Sequence, residues 1–525
     1  MRRLTGLDAS FLYLESATCP MHVAGTYLYD PADSPAGFDF GRFKELIGNR
    51  LHKLPPFRWR LVEVPFGLHH PIWVEDPEFD LDYHVRRVTV RAPGGRHELE
   101  EMAAEIMSRP LDRRRPLWEI HIIEGLAHGY VAMLSKTHHA AIDGASGAEL
   151  STNLLDRTPE PVWFTDAPDW KAERIPSDVE MLSYAFNSLL RQPAKLANTI
   201  RQTFEMVTQL RNRPKVEGIE SPPAPFTAPR TSFNIPLTSQ RSFGTAEVTL
   251  ADIKKIRTAF GGTVNDVVLA LCSSALRQYL IENSELPVEP LVAMVPISVR
   301  AADQKGAMGN RVSNMFVALP TNVADPVERL QLIQSSTRAS KDQANAIGAD
   351  ALTDWVEFAA PAIAARAARL YTSMRLADRH RPLFNVTISN VPGPNFPLYC
   401  NGSKLVSWYP MGPIFDGGGL NMTVMSYMGT VHFGLVACSD ALPRVTDLAD
   451  GVVVAASELL AAAADLESTV VDTVKAPMPA ASGRKPAVQK PAVKKPAMKK
   501  PAARKPAVKK AASSKQAAGK KAVGR

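Results

Sequence analysis

Six prolines (214, 222, 223, 225, 229 and 236) fall between Pro214 and Pro236 and interrupt the chain near its middle. Proline fixes φ and lacks an amide hydrogen, so neither a regular helix nor a central strand runs through such a stretch. The segment reads as an extended crossover between domains. A chain of 525 residues is also too long for one ordinary core. A second break lies at the C-terminus. Lys-Pro-Ala recurs at Lys485, Lys490, Lys495, Lys500 and Lys505, a five-residue period. Regular prolines and mutually repelling lysines predict an extended, disordered tail. Residues 475–525 hold 16 of the 61 Lys and Arg and no acid. The remaining 45 basic residues face all 53 acidic ones, so residues 1–474 carry −8 while the whole chain carries +8. The expected organisation is an N-terminal domain over 1–170, a helical and Pro-rich linker over 171–240, a C-terminal domain over 241–472 and the tail over 473–525.

Both halves mix strand and helix patterns. Trp118–Glu124 and Tyr130–Thr137 are strand-like runs joined through Gly125 and Gly129, which predicts a hairpin. Helices are expected over Asn265–Glu282, Pro326–Ala344 and Leu448–Leu466, and strands over Leu291–Pro296, Thr423–Tyr427 and Thr430–Ala437. Leu182, Ala185, Leu189, Leu196, Ile200, Phe204, Val207 and Leu210 trace an amphipathic helix. Ser177 and Glu180 would cap it and Pro193 would kink it. It reads as a helix packed on its own domain, with a membrane-surface helix as the other reading. The predicted class is α+β, in two domains of similar size.

The four cysteines are far apart and form no CxxC pair, which suits a reducing cytosol. Asp8 and Ser10 interrupt what would be the apolar region of a signal peptide. No apolar run reaches the ~20 residues needed to cross a bilayer. Ala351–Leu370 comes nearest, broken by Asp354, Glu357, Arg366 and Arg369. A soluble or surface-lying protein is expected.

The hairpin's second strand runs into KTHHAAIDGASG, residues 136–147, and a helix is expected after Gly144. A histidine with an ordinary pKa near ~6.5 can take a proton from an alcohol or thiol at neutral pH. A positioned imidazole at a strand–helix junction therefore points to general-base chemistry. Asp143, four residues after His139, could hold the loop rather than the ring, and Gly144 could supply a backbone conformation denied to other residues. A histidine pair by itself means little. His69-His70 lacks the aspartate and glycine, and it reads as structural. A metal would need a third ligand that the motif does not supply. No GxSxG element accompanies the motif, so a covalent acyl-enzyme is not suggested.

HHAAIDG resembles the HHxxxDG motif of the CoA-dependent acyltransferase superfamily. Further segments narrow the likeness: LTGLDASFLYLES at the start, Pro116-Leu117-Trp118-Glu119, Asn265-Asp266, MVPISVR at 294–300, SNVPGP at 389–394 and GGLNMTVMSYMGTVHFGLVACSD at 418–440. Together they resemble the bacterial wax ester synthase/diacylglycerol acyltransferase family over roughly residues 1–470. The alanine-rich composition and the tail suggest an actinobacterial member. The resemblance implies two chloramphenicol-acetyltransferase-like domains with an active-site tunnel at their interface. It implies His139 as general base, His138 in support, and direct transfer from long-chain acyl-CoA to diacylglycerol or a long-chain alcohol. Asp143 would pair with Arg300 as a structural strut. Asn265 would donate to the oxyanion, or else cap its helix. Trp118, Asn390 and Gly393 would lie along the tunnel. Acyl-CoA would be a substrate, with no metal or redox cofactor needed.

The tail's repeats resemble those of mycobacterial histone-like and heparin-binding proteins. A polycationic chain can bind anionic lipid or nucleic acid. For a lipid enzyme the first is favoured, which predicts a cytoplasmic protein attached peripherally to the inner membrane face or to lipid droplets. A purely solubilising tail is the bland alternative. Two rival functions stay open at this stage: another CoA- or carrier-dependent acyltransferase of the condensation type, and a non-catalytic lipid-droplet or DNA-bound scaffold. The sequence carries no signal for an oligomeric state.

Overall fold

The computed structural model describes residues 2–32, 34, 37–142, 153–165, 173–190, 223–224, 226–298, 312–347, 366 and 370–475. Residues 1–472 form one compact unit. The strands are β1 (Arg2–Arg3), β2 (His22–Asp30), β3 (Trp59–Val62), β4 (Ile72–Glu75), β5 (Val85–Thr89), β6 (Trp118–Glu124), β7 (Val131–His138), β8 (Arg241–Thr249), β9 (Leu291–Ser298), β10 (Val312–Leu319), β11 (Val386–Val391), β12 (Tyr399–Cys400), β13 (Ser403–Met411), β14 (Leu420–Tyr427) and β15 (Thr430–Cys438). The helices are α1 (Gly6–Leu14), α2 (Phe40–Arg50), α3 (Leu81–His84), α4 (Arg96–Ser108), α5 (Asp178–Leu190), α6 (Leu250–Phe260), α7 (Val264–Glu282), α8 (Pro326–Ile347) and α9 (Val445–Lys475).

Two six-stranded sheets carry the fold. One has the order β12-β13-β2-β7-β6-β5 and the other β10-β9-β11-β14-β15-β8; β1, β4 and β3 form a small third sheet. The β6–β7 hairpin is antiparallel with Trp118 opposite Thr137, while β5 joins it in parallel. β14 and β15 form a second antiparallel pair, and β11 lies parallel to β14. The expected strands of both halves and the helices expected at Asn265–Glu282, Pro326–Ala344 and Leu448–Leu466 are present, while the helix expected after Gly144 falls mostly outside the described residues.

Five of these strands are legible in the sequence, and β13 is among those that are not. β13 comes from the C-terminal half but pairs with β2 of the N-terminal half, Tyr409 opposite Thr26. Pro410 and the neighbouring Gly402 obscure its pattern. β13 also crosses β15 so closely that a Cβ on Gly434 would lie 1.8 Å from the Pro410 carbonyl oxygen. Only glycine permits that approach. Polar contacts reinforce the junction of the halves. Glu100 Oε1 on α4 accepts from both Thr245 N and Thr245 Oγ1 on β8 at 2.7 Å, and Arg241 donates to the Thr18 carbonyl at 2.6 Å. The main apolar cluster accordingly runs from Cys19 to Leu459, through Met107, Leu134, Val268, Phe433 and Val452.

Helix ends follow their local chemistry. Thr263 caps α7, and Asp266 returns the bond to the Thr263 amide at 2.8 Å, a reciprocal capping box. The N-cap is therefore Thr263, which corrects the alternative reading of Asn265 as the cap. Ser177 and Glu180 exchange the predicted bonds at the start of α5, whose Met181 and Ala185 pack on Val64, Ile72 and Val74. Pro193 and the rest of the crossover to residue 222 lie outside the described residues. Among the described residues no single helix is long and apolar enough to cross a membrane.

Candidate active site

β7 delivers the two histidines to different environments. His138 is the last residue of the strand and pairs with His22 across β2. Its ring is wholly buried. The Ala140 amide donates to His138 Nδ1 at 3.0 Å, so the ring proton sits on Nε2. That Nε2 faces Glu15 Oε1 at 3.4 Å, long for a hydrogen bond. Nδ1 of His138 is thus committed to the backbone, and Nε2 is sealed from solvent beside Glu15. His139, one residue later, anchors its amide on the Met21 carbonyl at 2.8 Å and is only half-buried, with Nδ1 on the buried side of its ring. Its imidazole lies flat against Phe11 of α1, centroids 4.0 Å apart and planes 10° from parallel. The alternation of a strand end explains the contrast: adjacent side chains leave on opposite faces.

A buried polar cluster supports this end of the sheet. Arg113 reaches Glu15 at 2.5 Å and donates to the Leu12 carbonyl at 2.7 Å. His22 Nε2 lies 3.7 Å from Glu15. Burial disfavours the Glu15 carboxylate, but His138, Arg113 and His22 outweigh it and hold its pKa at about 2. Farther along β7, Lys136 is completely buried. Its ammonium donates to the carbonyls of Ile106 and Arg109 at the end of α4 and meets Glu119 at 3.3 Å. Burial likewise opposes ionisation of Glu119, yet His121 and Lys136 hold it at about 2. Lys136 therefore ties the motif's strand to α4.

Trp118 is fully buried, sandwiched between Phe57 at 4.3 Å and His84 at 4.4 Å, and donates to the Phe57 carbonyl. Asn265 and Asn390, 125 positions apart, meet at the start of α7: Asn390 Nδ2 donates to Asn265 Oδ1 at 3.4 Å. That assignment leaves the Asn265 amide hydrogens free to donate elsewhere. Gly393 packs so tightly that a Cβ there would lie 2.2 Å from the Ser426 carbonyl oxygen. His69 and His70 are buried, with Tyr13 Oη 2.8 Å from His70 Nδ1. Asp143, Gly144 and Arg300, and with them the expected strut, lie outside the described residues. Among the described residues no group of three or more His, Cys, Asp or Glu could hold a metal ion.

Comparison with known proteins identifies the family. A family model for the wax ester synthase/diacylglycerol acyltransferase catalytic domain matches residues 4–268, and one for the C-terminal domain of the same family matches 308–459. A Mycobacterium tuberculosis (strain H37Rv) protein, provisionally named a diacylglycerol O-acyltransferase, is 38% identical over 465 residues, 88% of this chain and 90% of its own. The solved wax ester synthase/diacylglycerol acyltransferase from Marinobacter aquaeolei VT8 superposes with a TM-score of 0.62 at 31% identity, covering 88% of this chain and 100% of that one. The chain belongs to the wax ester synthase/diacylglycerol acyltransferase family. It is an acyltransferase with the family's chloramphenicol-acetyltransferase-like fold.

Sequence reasoning missed several residues that this family member gathers around its motif: Phe11, Glu15, His22, Arg113 and Lys136. Only one local signal was available for the first two. Phe11 and Glu15 are four residues apart in DASFLYLE, the spacing of one helical face.

The charges around the motif predict how this acyltransferase responds to acid. Burial holds His22 well below its ordinary 6.5 and His84 at about 4. Unfolding lets these rings take up protons below pH 6.5, so stability falls from there towards pH 4. Glu15 and Glu119, depressed from 4.5 to about 2, contribute stability that is present above pH 4.5 and lost as pH falls towards 2. Urea unfolding between pH 8 and pH 3 should show a free energy that declines in these two overlapping windows. A free energy that rises on acidification would contradict both assignments.

Proposed function

We propose that this enzyme transfers a long-chain acyl group from acyl-CoA to the hydroxyl of diacylglycerol or of a long-chain alcohol, with His139 as general base. The observation that carries the base assignment is the division between the neighbours: His138 is fully buried with Nδ1 taken by the Ala140 amide and Nε2 turned to Glu15, while His139 is only half-buried. His139 takes the hydroxyl proton as the acceptor oxygen attacks the thioester carbon. The C–S bond breaks, an ester forms, and the imidazolium returns its proton to the departing CoA sulfur. No acyl-enzyme is required. The oxyanion that develops on the thioester oxygen calls for a preorganised donor. Asn265 Nδ2 fits that role because Asn390 occupies the other end of the amide. The interface tunnel expected for the family would admit acyl-CoA from one side and the acceptor from the other.

The assay offers labelled palmitoyl-CoA with dioleoylglycerol or with hexadecanol, beside His139→Ala. Triacylglycerol or wax ester from the wild type and its loss in the variant support the reading; equal product from both overturns the base assignment.

The polycationic stretch 475–525 supplies a separate attraction to anionic headgroups, at roughly 1 kcal/mol per basic residue near the surface. This favours work at the inner membrane face or on lipid droplets, where such acceptors reside. Deleting 475–525 is expected to leave turnover of detergent-dispersed acceptor unchanged and to reduce sedimentation with anionic vesicles. Unchanged sedimentation would refute the lipid role, and retention on nucleic acid instead would favour that partner.

A further inference from the structure

Helix α1 grips both histidines. Phe11 lies within it, and Glu15 is its C-cap, the Glu15 amide donating to the Phe11 carbonyl. Phe11 stacks on His139, and the Glu15 carboxylate faces His138. The helix is itself firmly held. Thr5 caps it through Asp8, Arg113 binds the Leu12 carbonyl near its end, and Tyr13 meets His70. We propose that Phe11 is a positioning residue for the acyl transfer, its ring holding the imidazole plane of His139 while that ring gains the acceptor's proton.

The proposal rests on His139 being the base, and it adds what fixes and charges that base. A phenyl ring at 4.0 Å and 10° leaves the imidazole no room to rotate towards α1. It also changes the electrostatics as the reaction proceeds. Neutral imidazole gains little from the negative face of an aromatic ring. The imidazolium that forms on proton transfer is a cation lying over that face, within the distance at which such pairs attract. The attraction therefore grows between ground state and transition state, which is the condition for accelerating the step. Among the described residues, the ionisable groups at this end of β7 include Asp8 on α1, Glu15 at its C-cap, His22 on β2, Arg113 before β6 and His138 on β7 itself. Glu15 is already opposed by Arg113 at 2.5 Å. Among the described residues, Phe11 is the aromatic ring stacked on the face of His139.

Full-length Phe11→Leu and Phe11→Trp are compared with wild type and His139→Ala, using labelled palmitoyl-CoA and dioleoylglycerol from pH 5 to 9. Leucine keeps an apolar side chain without a π face; tryptophan restores one. For Phe11→Leu we expect kcat to fall about 10-fold with both KM values within about twofold of wild type, and the acid limb of kcat to move down by about half a pH unit. Phe11→Trp should recover most of the rate and the limb. The same shift should be seen without turnover, in the NMR titration of protein carrying 13C-labelled histidine, with the His139 signal identified by its loss in His139→Ala. An unchanged rate and titration in Phe11→Leu overturn the proposal, as does an equal loss in Phe11→Trp with an unmoved limb. An inactive His139→Ala beside an unaffected Phe11→Leu removes only the stacking role. A fully active His139→Ala removes the base assignment and the catalytic part of this proposal together.

Discussion

His139→Ala should lower acyl transfer by at least about 100-fold, the scale on which a positioned general base acts. The alcohol of diacylglycerol or hexadecanol is a weak nucleophile until its proton has somewhere to go. His138 cannot replace its neighbour. Its Nδ1 is occupied by the Ala140 amide and its Nε2 points into the Glu15 cluster. The loss should fall on kcat, since the proton moves only on the way to the transition state. Folding should survive, because His139 is only half-buried and its backbone anchor to Met21 uses the amide, which alanine keeps. Circular dichroism and a melting curve close to wild type, together with the lost rate, are the expected result. A folded variant with a wild-type rate would require another base.

The second large effect is expected at Asn265. Removing one oxyanion donor typically costs about 100- to 1,000-fold in kcat. Asn265→Ala should reach that range with little change in KM for acyl-CoA, because the donor matters most when negative charge has formed. Asn390→Ala should cost less. It frees the Asn265 amide to turn over, so the donor faces its target only part of the time. The ordering Asn265 more damaging than Asn390, both in kcat, separates an oxyanion role from simple support of α7. The helix does not need Asn265 for its start, since Thr263 and Asp266 form the cap. Equal KM increases with unchanged kcat would assign the pair to substrate binding.

Much of the local architecture was legible because its causes are local. The β6–β7 hairpin follows from two β-rich runs and the glycines between them. The start of α5 follows from Ser177 and Glu180, whose side chains reach only three residues. At α7 the same rule was available in Thr263 and Asp266, but Asn265 was offered as a possible cap beside it. The adjacent apolar run hid which polar residue turns back on the backbone.

The sequence by itself determined the family, the histidine motif at the end of β7 and the opposed charges of body and tail. These depend on residue identity and short spacing. Tertiary structure decided which histidine stays accessible, since that depends on what covers each ring. Phe11 lies 128 positions before His139, and Glu15 lies 123 before His138. No periodicity spans such distances. Packing also decided that β13 completes the N-terminal sheet and that Asn265 meets Asn390. The physical reason is common to all of these. Burial and long-range pairing are properties of surfaces brought together by the fold, and they set the chemistry of the motif only after the chain has closed around it.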